Sequence, residues 1–130
     1  MDKRKILLVD DDAGITDFVK SILEQTGKYE VLAENNGAQA FQAAKRFTPD
    51  LILLDVAMPD MDGPEVADAL RSDPNTRDVP IIFLTSIVSE KEAEAFGGVI
   101  GGRPFIAKPV KKQKLIDCID QAMSKSSPRH

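Results

Sequence analysis

Three stretches of this chain carry unbroken apolar runs: KILLV at 5–9, apolar from Ile6 on, LILL at 51–54 and IIFL at 81–84. A strand with one wet face alternates apolar and polar residues, so an unbroken run calls for cover on both faces. Between these runs the spacing becomes helical. Residues 13–26 place Ile15, Phe18, Val19, Ile22 and Leu23 on one stripe, and Gly27 is a natural stop. Residues 29–33 (YEVLA) read as a more polar strand near an edge. Asn36 and Gln39 are candidate caps for a helix whose face carries Ala40, Ala43, Ala44 and Phe47, ended by Pro49. Pro64 suits the first turn of a helix over 64–72, and SDPNTRDVP is a loop.

Ser89 and Glu92 form a capping box for a short helix to about Phe96. A glycine-rich connection leads to a short strand at 104–107. The last helix, about 111–124, buries Leu115, Ile116, Ile119 and Met123. The result is an α/β chain of (βα)5 type. Right-handed crossovers make it a doubly wound parallel sheet with helices on both faces.

A chain of 130 residues with 42% hydrophobic residues fits one domain with a proper core. Its net charge of −4 argues against a general nucleic-acid binder, so no direct nucleic-acid binding is expected. No apolar run approaches the roughly 18 residues of a membrane span. Asp10, Asp11 and Asp12 cut the N-terminal apolar stretch too short for a signal peptide. The expectation is a cytoplasmic protein. Cys118 is the single cysteine, so no internal disulfide can form, and its helical setting suits a small, partly buried side chain. His130 is the only histidine and the last residue, a poor position for catalysis.

In a doubly wound sheet, ligands bind beyond the carboxyl ends of the strands. The first polar residues after the apolar runs are Asp10 and Asp11, then Asp55, then Thr85 and Ser86, then Lys108 followed by Pro109. Asp12 opens the first helix, where an acid is favourable in any case. Carboxylates brought together repel and need a cation to coexist. A hard divalent ion, most simply Mg²⁺, answers that need. Acids, Mg²⁺ and a lysine make a phosphate-handling site in which one carboxylate can attack phosphorus.

The motifs ILLVDDD, LILLDVAMPDMDG, IIFLTS and FIAKPV, at these spacings, resemble the receiver domain of two-component response regulators. The resemblance runs from residue 4 to about 123 and implies a flavodoxin-like sheet of order 2-1-3-4-5. It implies a receiver over 1–124, with 125–130 a polar tail or the start of a linker. It makes Asp55 the phospho-acceptor, taking a phosphoryl group from a phosphohistidine on a sensor histidine kinase or histidine phosphotransfer protein. Asp11, Asp55 and the Ala57 carbonyl would ligate Mg²⁺, with Asp10 acting through metal-bound water. Lys108 would pair with the phosphoryl group, and the Lys108–Pro109 bond would be cis. Thr85 would bind a phosphoryl oxygen and let Phe105 swing inward. That would change the surface of the fourth helix, fifth strand and fifth helix for a downstream protein or fused output domain. Such a chain is no enzyme beyond promoting its own phosphorylation and dephosphorylation. It would be a monomer or a phosphorylation-dependent dimer, either stand-alone or excised from a longer regulator.

The chain departs from the family pattern at several positions. Ala57 and Ile87 are apolar where polar side chains can place the hydrolytic water, so slow self-dephosphorylation is expected. Phe105 stands where tyrosine is common. FGGVIGGRPF, at 96–105, is richer in glycine than the family's usual turn and reads as a flexible connection; no Gly-Lys-Ser/Thr follows to make a phosphate loop. Lys111, Lys112 and Lys114 crowd a helix start, where cations are mildly unfavourable, as a solvated face or a patch for an acidic partner. Asp60 and Asp62 shape a turn rather than a calcium loop, since Met58 stands where an acid is needed.

ILLVDDDAGI also resembles the first motif of haloacid-dehalogenase-type phosphohydrolases, with Asp10 as nucleophile and Asp12 as acid/base. That reading leaves Asp55 without a role and no strand-end acidic pair after Lys108. A third alternative is a scaffold that works without phosphorylation.

Overall fold

A computed structural model describes residues 3–56, 58–59, 63–86, 99–100 and 103–125. Six strands, β1 (Arg4–Val9), β2 (Tyr29–Glu34), β3 (Leu51–Asp55), β4 (Ile81–Thr85), β5 (Val99–Ile100) and β6 (Arg103–Ala107), form one sheet in the order β2-β1-β3-β4-β6-β5. The first five of that order are parallel, which is the expected 2-1-3-4-5 arrangement of the long strands. β5 was not expected. It runs antiparallel to β6, pairing Val99 with Pro104 and Ile100 with Arg103. Its sequence signal is slight: Gly101-Gly102 separates Val99-Ile100 from Arg103-Pro104. So part of the glycine-rich segment is paired backbone at the sheet edge.

The unbroken apolar runs are buried on both sides, and the strand period of two divides each run between two cores. Ile6, Leu8, Leu51, Leu53, Ile82, Leu84 and Ile106 meet α1 (Ala13–Gln25) and the C-terminal helix (Lys112–Lys125). Leu7, Val9, Ile52, Leu54, Ile81, Phe83 and Phe105 meet α2 (Ala40–Phe47) and α3 (Gly63–Ser72). The C-terminal helix buries Leu115, Ile119 and Met123, with Ile116 and Cys118 partly covered.

Helix ends follow local chemistry. Asp12 caps α1, its Oδ1 accepting from the amides of Gly14 at 2.9 Å and Ile15 at 3.3 Å. Gly27 follows the α1 C-cap with φ 77°, which a glycine adopts without a Cβ penalty. Asn36 caps a short 3₁₀ turn (Gly37–Gln39) by accepting from Ala38 at 2.9 Å, whereas Gln39 makes no side-chain cap for α2. Phe18 departs from the expected stripe. It is half exposed, and the buried α1 residues are Thr16, Val19, Ile22 and Leu23. Thr16 takes that place because its hydroxyl is satisfied, donating to the Ala13 carbonyl at 3.1 Å. The helix expected over 89–96, the tail after 125, Ala57, Asp60, Asp62, Ile87 and His130 lie outside the described residues.

Candidate active site

The strand period that builds the core also builds the site. Asp10 continues the Ile6, Leu8 face of β1, Asp55 the Leu51, Leu53 face of β3, and Lys108 the Ile106 face of β6. All three belong to the sheet face covered by α1 and the C-terminal helix. Thr85 continues the opposite face, with Ile81 and Phe83, and so shares it with Phe105. The three ionic groups are thus gathered by register, and the hydroxyl stands on the face of the aromatic residue.

Lys108 Nζ lies 2.8 Å from Asp10 Oδ2 and 3.4 Å from Asp55 Oδ1. Asp10 is fully buried, Asp55 and Thr85 nearly so, and Asp11 is exposed. Carboxylate oxygens of Asp10, Asp11 and Asp55 lie within 4.8 Å of one another. Asp10 Oδ1 accepts from the Asp12 amide at 3.0 Å. Asp10 Oδ2 is paired with Lys108 and has no other partner among the described residues. Burial pulls the Lys108 ammonium pKa down. The hydrogen-bonding and charge of Asp10, with the charge of Asp55, outweigh this and leave it raised above 10.5.

The backbone around the site is fixed at short range. The Val56 amide donates to Leu84 at 2.9 Å and the Lys108 amide to the Thr85 carbonyl at 2.8 Å. The Lys108–Pro109 peptide is cis, as expected. Gly63 brings the start of α3 against β3, its amide donating to the Val56 carbonyl at 2.9 Å. A Cβ on Gly63 would run into the Asp55 carbonyl oxygen and reach Val56 Cα at 2.9 Å. Here glycine is required by close backbone approach rather than by its dihedral angles.

An oxygen-only set of three clustered acids, one with a buried oxygen that only Lys108 meets among the described residues, suits a hard divalent cation. Asp10, Asp11 and Asp55 are therefore brought together as expected, with Lys108 between two of them. Asp12 belongs to the helix cap. The expected Ala57 carbonyl ligand lies outside the described residues. Phe105 is buried, packed in the same core as Phe83, Leu54 and Met58. The sequence reading missed Asn35, whose side-chain amide reaches the Asp10 carbonyl at 2.9 Å and Thr16 Oγ1 at 3.0 Å. An asparagine just after a strand carries no motif that reveals such a contact.

The comparisons agree with this geometry. Residues 6–120 match the family profile of the response regulator receiver domain. The chain is 35% identical over 125 residues to the phosphate regulon transcriptional regulatory protein PhoB of Pseudomonas aeruginosa, covering 96% of this chain and 54% of that protein. It is 33% identical over 112 residues to the DNA-binding dual master transcriptional regulator RpaA of Synechocystis sp., covering 86% of this chain and 46% of that protein. The chain thus spans about half the length of the curated relatives it matches. Among solved structures, the Vibrio cholerae chemotaxis protein CheY4 superposes with a TM-score of 0.78 at 30% identity, over 92% of this chain and 98% of that one. The receiver domain of a Pseudomonas aeruginosa sensor histidine kinase superposes with a TM-score of 0.77 at 30% identity, over 92% and 97%. That structure has a magnesium ion coordinated in its active-site cleft. With its five parallel strands in flavodoxin-like order and its acidic strand ends, this chain belongs to the response regulator receiver domain family.

Proposed function

We propose that this receiver accepts a phosphoryl group on Asp55 from a phosphohistidine of a sensor histidine kinase or phosphotransfer protein. The observation that carries the proposal is the Lys108 ammonium set between Asp10 and Asp55, with Asp11 alongside. Asp10, Asp11 and Asp55, with the Ala57 carbonyl, would hold Mg²⁺. When bound, the ion neutralises charge on the phosphoryl oxygens and lets the three carboxylates coexist.

The chain's own groups do the rest. An Asp55 carboxylate oxygen attacks phosphorus in line, an O–P bond forms, and the P–N bond breaks with its electron pair leaving on the imidazole nitrogen. Lys108, fixed as a cation, moves its pairing from the Asp55 carboxylate to the phosphoryl oxygens. The Thr85 hydroxyl, at the neighbouring strand end, takes a phosphoryl oxygen as acceptor. Thr85 shares its sheet face with Phe105, and Phe105 pairs in register with Phe83, two residues before Thr85. That pairing is the route by which the site biases the surface of β6 and the C-terminal helix. Phe105 is buried beside Phe83, and the switch acts on that packing. The chemistry of the chain is confined to its own phosphorylation and dephosphorylation, and a partner or fused output domain reads the result.

Acetyl phosphate with Mg²⁺ tests this. The intact protein is expected to gain one phosphoryl group, and the gain is expected to vanish without Mg²⁺ and in Asp55→Asn. Equal gain in Asp55→Asn contradicts the reading.

A further inference from the structure

We propose that Asn35 is a positioning residue for the acidic site, acting through Asp10, with Thr16 as its anchor. This rests on the reading of the cluster as a Mg²⁺-assisted phospho-acceptor site.

The parallel ladder between β1 and β2 ends at the Asp10 amide, which donates to Glu34 at 3.2 Å. Beyond it the chain turns into α1, and the Asp10 carbonyl has left the ladder. Asn35, the next residue on the β2 side, supplies the missing donor. Its Nδ2 lies 2.9 Å from the Asp10 carbonyl oxygen and 3.0 Å from Thr16 Oγ1. A carbonyl can only accept, so the amide faces it with its NH₂, and the two N–H groups have one partner each. Thr16 is buried, and its hydroxyl hydrogen goes to the Ala13 carbonyl at 3.1 Å, leaving a lone pair for Asn35. Every donor along the strut therefore has an acceptor, although Asn35 itself is exposed.

Its effect is on Asp10. The carboxylate of Asp10 is held by the Asp12 amide on Oδ1 and by Lys108 on Oδ2. Asn35 holds the backbone of the same residue from the β2 side. The strut thus ties the β1–α1 turn to β2 and sets where the Asp10 carboxylate stands relative to Asp11 and Asp55. Groups that orient ligating carboxylates typically change metal affinity when removed. The nucleophile Asp55 lies on β3 and is not held by the strut, so its loss acts on ion binding rather than on attack at phosphorus.

The experiment compares the parent with Asn35→Ala, Thr16→Val and Thr16→Ser. Mg²⁺ affinity is measured by calorimetry without phosphodonor, and labelling by acetyl phosphate is followed across Mg²⁺ concentrations. Asn35→Ala is expected to bind Mg²⁺ about tenfold more weakly. Its labelling is expected to slow by a similar factor at limiting Mg²⁺ and to return to within about twofold of the parent at saturating Mg²⁺. Thr16→Val, which keeps the buried volume, is expected to follow in the same direction, and Thr16→Ser to match the parent. Parental Mg²⁺ affinity in Asn35→Ala overturns the assignment, as does a labelling deficit that saturating Mg²⁺ leaves in place. Should Asn35→Ala not fold, parental affinity in Thr16→Val overturns it equally. Should the parent take no label, the phospho-acceptor reading fails, while the affinity comparison still decides the role of Asn35.

Discussion

Lys108 Nζ lies 2.8 Å from Asp10 Oδ2, where the Asp10 side chain has no exposure to water and the Lys108 side chain keeps 14%. A buried carboxylate in that place depends on its cation partner. Removing the partner costs more than the pair itself contributes, because an uncompensated charge remains. In Lys108→Met, Asp10 and Asp55 lose their shared cation. The unfolding free energy at neutral pH without Mg²⁺ is expected to fall by about 3 kcal/mol, measured by urea denaturation. Mg²⁺ is expected to restore part of the loss. An unchanged midpoint contradicts the assignment of Lys108 as the site's internal counter-ion. The raised Lys108 pKa sets the pH sense: its contribution is complete below 10.5 and is lost as pH rises through the folded value.

Asp11 is exposed and clustered with two buried acids. Replacing it removes repulsion and leaves no buried group unpaired. Asp11→Asn is expected to raise the melting temperature without Mg²⁺ by a few degrees and to abolish most of the stabilisation that Mg²⁺ gives the parent. A lower melting temperature in the metal-free variant contradicts the repulsion argument.

Gly63 makes a tight backbone contact near Asp55, the proposed nucleophile. In Gly63→Ala the new methyl meets backbone atoms of Asp55 and Val56, which cannot rotate away. Overpacking of this kind costs about 2–3 kcal/mol. Labelling of Asp55 is expected to slow as well, since its carbonyl must shift. Parental stability in this variant means that the α3 start stands farther from β3 than described.

Tyr29 offers a pH test remote from the site. Its hydroxyl donates to Asp120 Oδ1 at 2.6 Å, and burial first, then this hydrogen bond and the Asp120 charge, raise its pKa well above the ordinary 10. A raised pKa means that its stabilising contribution is present below pH 10 and lost as pH rises through the folded value. Tyr29 is the only tyrosine and there is no tryptophan, so tyrosinate absorbance reports it alone. Ionisation is expected only at or beyond alkaline unfolding, and earlier in Asp120→Asn. A reversible titration near pH 10 in the folded parent contradicts the contact.

The framework of the molecule was legible because it rests on patterns of residue type. Unbroken apolar runs gave the parallel strands, and the first polar residue after each gave Asp10, Asp55, Thr85 and Lys108. What was not legible depends on partners distant in sequence. Phe18 fits a helical stripe by spacing, yet Thr16 takes the buried place because Ala13 and Asn35 satisfy its hydroxyl. Phe18→Ser is therefore expected to cost under about 1 kcal/mol, whereas Leu23→Ala, from a fully buried site, costs about 2–5 kcal/mol. Equal losses in the two variants return Phe18 to the core. Asn35 could not be found in the same way, because nothing in its neighbours names Asp10 as its partner.

Asp55, rather than Asp10, is the proposed acceptor of the phosphoryl group. Labelling with acetyl phosphate and Mg²⁺, followed by peptide mapping in a mass spectrometer, tests it directly. The modified residue is expected to be Asp55 alone. A phosphoryl group found on Asp10 would mean that the pair held by Lys108 works the other way round, as in the phosphohydrolases that ILLVDDDAGI resembles, and a chain left without label would be a scaffold.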